Sequence, residues 1–153
     1  MLKFESVALS QQFLVIVNAA LAALLGSAIG WERDRAGKSV GPRTMALVGA
    51  SAAAIVNIGK ILDENAKLGD PTRALHAIIT GIGFLGAGLI FQTRDSGTKG
   101  VTTAATVFAT AAMGCAVGLG FQLASLGLTL IILIVLRSTH VLEITAMRRY
   151  DDD

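Results

Sequence analysis

The sequence predicts an all-α membrane protein, a bundle of about five transmembrane helices with glycine-rich packing faces, and three observations carry that prediction. Mean hydropathy is +0.65, far above the soluble average. Hydrophobic residues make up 53% of the 153-residue chain and charged residues only 16%. The charges cluster between long apolar stretches instead of spreading over amphipathic faces.

A helix needs roughly 20 mostly apolar residues to cross the hydrocarbon core. Residues 13–31, 44–62 and 74–92 supply three such spans. The stretch 101–136 has no charged residue, and as a single helix it would run about 54 Å, nearly twice the core thickness. It therefore folds back. The interruption "GLGFQ" at 118–122 marks the hairpin and leaves spans over 101–117 and 123–136. Residues 1–12 are an N-terminal segment and 137–153 a cytoplasmic tail, whose "YDDD" end reads as disordered.

Lysines and arginines in short loops favour the cytoplasmic side. Loop one holds Arg33, Arg35, Lys38 and Arg43, loop three holds Arg94 and Lys99, and the tail holds Arg137, Arg148 and Arg149. The N-terminal dozen has only Lys3, and the turn at 118–122 has no charge. The expected topology puts the N-terminus outside and the C-terminus inside. Loop two fits less cleanly, because Lys60, Lys67 and Arg73 stand there with Asp63, Glu64 and Asp70. The first span lacks a basic segment before it and has "ERDR" behind it, so it reads as a retained helix and not a cleaved signal peptide.

"GIGFLGAG", residues 81–88, has the spacing of a dinucleotide fingerprint, but a strand before it and an acid about 20 positions on are both missing. Glycines along an apolar helix instead let a neighbouring backbone approach, where van der Waals contact drives association. Gly81, Gly83, Gly86 and Gly88 are assigned that role together with Gly26 and Gly30. Because the third span has two glycine faces, it is expected at the centre of the bundle. A locally unwound ion or solute site at these glycines is the alternative, since unwound backbone is tolerated only against protein or a cavity.

Thr103, Thr106 and Thr110 share one face of the fourth span, with Thr102 beside them. Their hydroxyls either bond to helix carbonyls and neighbours or line a polar path, with the helix N-terminus near Gly100 offering amides to an anion. Glu32 and Arg43 each abut a span and are candidates for a buried pair. Arg33, Lys38 and Thr44 complete the polar segment at that border, and Arg73 and His76 stand one turn apart at the mouth of the third span. Hard divalent cations want several oxygen ligands, and no carboxylate lies within a span except at its edge, so no metal site and no cofactor are expected. No nucleophile and base stand at usable spacing for an enzyme. Cys115, the single cysteine, reads as a packing residue.

Three blocks, "GSAIGWERDRAGKSVGPRTMALVGASAA", "RALHAIITGIGFLGAGLIF" and "GVTTAATVFATAAMGCAVGLG", resemble the membrane domain of the MgtC/SapB family in the same order, over most of 21–136. The matching positions are Gly26, Gly30, Glu32, Arg33, Lys38, Gly41, Arg43 and Thr44, then Arg73 and 81–88 except Ile82, then 102–106. His76, Pro42 and Phe108 depart from the glutamine, leucine and tryptophan that the family often has. The resemblance implies a bacterial inner-membrane protein, linked in some members to growth in low magnesium and survival in macrophages. In one branch it implies a regulator that restrains the F-type ATP synthase, not a magnesium pump. The soluble C-terminal domain of the virulence-factor branch is not expected within these residues, nor are functions tied to it.

The expected function is that of a non-enzymatic modulator of ion or energy homeostasis in low-magnesium or stress adaptation. Its expected partners are the lipid bilayer, further copies of itself, and membrane proteins such as the F-type ATP synthase, with no nucleic acid. The rival is a transporter or channel whose polar path is bounded by Arg73, His76, the glycines of the third span and the threonines of the fourth.

Overall fold

The structure, a computed structural model, describes residues 8–66, 71–93 and 97–151. Five helices follow in order: α1 (Leu9–Arg35), α2 (Pro42–Ala66), α3 (Pro71–Leu89), α4 (Val101–Leu119) and α5 (Gln122–Asp151). Between α3 and α4, two three-residue strands, β1 (Phe91–Thr93) and β2 (Gly97–Lys99), pair antiparallel with Phe91 opposite Lys99. The fold is thus the all-α bundle the sequence predicts, and four of the described helices, α1 to α4, are long and apolar enough to cross a bilayer. The apolar part of α5, Gln122–Ser138, is shorter. Lys3, Lys67, Asp70 and Arg94, named in the topology argument, and the last two residues of the "YDDD" end lie outside the described residues.

Helix ends differ from the apolar runs for identifiable reasons. Pro42 and Pro71 open α2 and α3, because a first-turn proline forfeits no intrahelical bond and has a preset φ. The α4–α5 hairpin falls where "GLGFQ" predicts. Gly120 takes φ +93, its amide bonds to the Val117 carbonyl at 2.9 Å, and the amide of Phe121 reaches the Ala116 carbonyl at 2.8 Å. Those two bonds form a Schellman cap, which needs a left-handed residue and so favours glycine. Residues 137–151 continue α5 and are not a separate irregular tail, since no glycine or proline follows Gly127 to stop the helix.

The centre of the bundle is α4, which touches all four other helices, and α1 packs most extensively on α2. Two glycine stripes meet one face of α2, that of α1 over its first turns and that of α4 further along. On α1, a methyl group at Gly26 would strike the Met45 carbonyl, and one at Gly30 would lie 2.5 Å from Cα of Pro42. On α4, Gly114 leaves no room for a methyl against the Gly49 carbonyl, and a methyl at Gly118 would lie 2.5 Å from that of Ala53. Contact this close is where a bilayer-embedded bundle gains its dispersion energy. Around it lie Ala22, Ile29, Ala53, Met113 and Val117, with Ala52, Val56, Ile78 and Ala111 packed beyond them.

The expectation that the third span lies at the centre is corrected. Gly86 reaches ordinary contact with Ala104, but Gly81, Gly83 and Gly88 have no atom within 4 Å of an added methyl group. The reason is that α3 gives α2 and α4 one narrow strip, Leu75, Ile78, Ile82 and Leu89, and turns the rest of its surface outward. Phe84 on that surface is 82% exposed.

Candidate functional site

Where α1 and α3 end and α2 and α4 begin, the structure places a cation inside the bundle. The apolar run of α1 stops at Trp31, yet the helix continues through Arg35, and this extra turn carries Arg33 onto the face that meets α4. Arg33 is 4% exposed, and its Nη2 donates to Oγ1 of buried Thr103 at 3.0 Å. Its Nε is shielded from solvent and has no hydrogen-bond partner. Among the described residues no carboxylate lies within ion-pair distance of it; Lys60 and Glu64, 3.9 Å apart near the far end of α2, form an ion pair elsewhere.

A residue earlier on the helix, Glu32 is turned about 100° away. It faces a groove of about 730 Å³ between α1 and α5, lined also by Ser27, Trp31, Arg35, Leu133 and Arg137. One carboxylate oxygen, Oε2, is buried there without a partner. The guanidinium of Arg35 sits 5.7 Å from the centroid of the Trp31 ring, within cation–π range. The candidate pair of Glu32 with Arg43 is therefore not formed: the extended α1 directs Glu32 toward α5, whereas Arg43 is exposed on the first turn of α2.

The threonine face of α4 is buried as its spacing predicts, and its hydroxyls are engaged locally. Thr106 Oγ1 donates to the Thr102 carbonyl at 2.7 Å, and Thr110 Oγ1 donates to the Thr106 carbonyl at 2.9 Å. Thr110 also meets Sδ of Met45 at 3.4 Å. Thr103 is the member of the face that reaches a charged side chain. Thr102 is exposed, as are Lys38 and Thr44. The amide of Lys38 bonds to the Arg33 carbonyl at 3.0 Å, closing the turn after α1.

Arg73 and His76 do not join these residues. Both are exposed on the first turns of α3, and Thr80 donates to the His76 carbonyl at 2.9 Å. From His76 to Leu89 the helix rises about 20 Å, so they sit at the opposite end of the bundle from Thr102 and Thr103. The polar path proposed from Arg73 and His76 to the α4 threonines is accordingly not assembled in this chain.

The sequence reading passed over several residues that the structure makes prominent. Gly114 and Gly118 form a G-x-x-x-G pair like Gly26 and Gly30, a signal present in the sequence, and Gly49 is the residue on α2 that Gly114 meets. Asn18, Ser125 and Thr129 are buried polar residues, and Gln122 Nε2 lies 3.5 Å from Asn18 Oδ1 across the α1–α5 contact. Cys115 is half-buried beside Ala52 and Val56. No group of three His, Cys, Asp or Glu residues gathers among the described residues.

Two apolar grooves run along the α2–α3 seam, each about 400 Å³. Leu47, Ser51, Ile55, Gly81 and Leu85 line one; Thr44, Val48, Phe84, Gly88 and Val107 line the other.

The model of the MgtC family matches residues 19–144. Among curated relatives, the chain is 39% identical to Protein MgtC of Brucella abortus (strain 2308) over 130 residues, covering 82% of this chain and 53% of that protein. It is 34% identical to the proposed magnesium transporter YhiD of Escherichia coli (strain K12) over 139 residues, covering 88% of this chain and 64% of that protein. With Protein SrpB of Synechococcus elongatus it shares 39% identity over 118 residues, covering 70% of this chain and 65% of SrpB. The chain thus spans between about half and two thirds of the length of these relatives. No solved structure matches it.

Proposed function

Because the chain belongs to the MgtC family, we propose that it is a non-enzymatic modulator of ion or energy homeostasis in the bacterial inner membrane, acting in low-magnesium or stress adaptation by associating with membrane proteins. The observation that carries this reading is the unengaged side of α3. Gly26, Gly30, Gly114 and Gly118 are consumed in backbone contacts within the chain, whereas Gly81, Gly83 and Gly88 meet nothing of it. Gly81 and Gly88 border apolar grooves that suit the ridge of another transmembrane helix, and Gly83 is exposed on the same helix. A second copy of the chain is the first occupant, and the F-type ATP synthase is the heterologous partner implied by resemblance.

A transporter is the second reading, favoured by the name of the Escherichia coli relative and by a buried arginine of the kind that marks ion and solute pathways. Against it stands the engagement of Thr106 and Thr110 with their own helix, which leaves those hydroxyls without a path to line. The test is reconstitution into liposomes holding a magnesium-sensitive dye, together with cross-linking in cells. Absence of saturable flux with a specific cross-linked membrane partner supports modulation. Saturable magnesium or other ion flux, abolished by Arg33→Gln and unchanged by Lys60→Gln, overturns it in favour of transport.

A further inference from the structure

We propose that Arg33 and the first turn of α4 form a binding site for a phosphate-class oxyanion. Two independent observations meet there. The first is Arg33, 4% exposed, with Nη2 on Thr103, Nε unpartnered, and the neighbouring Glu32 carboxylate acting on it only from beyond ion-pair distance. A buried charge left in that state is costly, and an anion is the partner that relieves it. The second is the helix terminus that this arginine touches. The 19-residue α4 has no side-chain cap, and its first amide with a backbone acceptor is that of Ala104, bonded to the Gly100 carbonyl at 2.8 Å. The amides of Val101, Thr102 and Thr103 precede it, at the positive end of the helix dipole.

Together they offer an oxyanion a planar cationic group, up to three amides and the hydroxyl of Thr103. That donor set matches a tetrahedral group with several acceptor oxygens better than a halide or a cation. Lys38, Arg43 and Lys99 are exposed on segments that converge on this end, and they raise the local concentration of anions. Gly100 makes the approach possible, because its left-handed φ of +90 turns the chain into α4 where a side chain would strike the Leu89 carbonyl. Inorganic phosphate and the phosphoryl group of an anionic lipid share this chemistry. The inference stands on geometry alone and is independent of the modulator reading.

Two measurements on the full chain test it. In phosphate-free detergent, equilibrium dialysis with radiolabelled orthophosphate is expected to show saturable binding, weakened about tenfold or more by Arg33→Gln. In phosphatidylcholine nanodiscs doped with phosphatidylglycerol, retention of phosphatidylglycerol after exchange, lost in Arg33→Gln, identifies a lipid headgroup as the source instead. Lys60→Gln, far from the site, leaves either readout unchanged. If Arg33→Gln does not fold, Thr103→Val weakens binding and Thr103→Ser restores it. Absence of both phosphate and phosphatidylglycerol binding in the folded wild type, or equal binding by the Arg33 and Thr103 variants, overturns the proposal.

Discussion

A single methyl group separates the residues that hold this bundle together from those that merely lie in it. Gly118→Ala would put carbon 2.5 Å from the Ala53 carbonyl, and since that neighbour is backbone, the helices must part. The expected cost is about 1–3 kcal/mol, read as a lower unfolding midpoint in detergent. Thr110→Val removes a hydroxyl bonded to its own helix and to a thioether, so the same measurement should move by less than about 1 kcal/mol. At this scale the threonine face was legible, because Thr103, Thr106 and Thr110 recur at helical spacing. The burial of Arg33 was not. Sequence spacing says that a charge follows Trp31, but only the meeting of α1 with α4 decides that Arg33 turns inward and Glu32 toward α5.

Among the helices, the division is between α1, α2 and α4, locked by glycine contacts, and α3, which presents a strip. Gly83→Leu is therefore expected to leave the unfolding midpoint of the monomer unchanged and to abolish a cross-linked dimer in native membranes; an unchanged dimer would remove α3 as the contact. The corresponding change at Gly114, which faces the Gly49 carbonyl, should instead prevent folding. Apolar runs located all five helices, and "GLGFQ" located the last turn. Their ends escaped because proline starts and the continuation of α1 through charged residues depend on backbone chemistry that hydropathy does not register. The rank of the glycines escaped for a different reason: α1, α3 and α4 all carry them at suitable spacing, and only their neighbours distinguish a used face from a free one.

For the molecule as a whole, cation placement predicts an outside N-terminus and an inside C-terminus. A fluorescent protein fused after residue 153 should fluoresce in the cytoplasm, and alkaline phosphatase inserted between α2 and α3 should be active. The reverse pattern would put the Arg33 end on the outer face. The seat of Gly100 against the carbonyl of Leu89 has one more effect, because it brings the last turn of α3 beside the first turn of α4, where Arg33 is tied to Thr103. A side chain added at position 100 would therefore disturb the end of α3 and the start of α4 together.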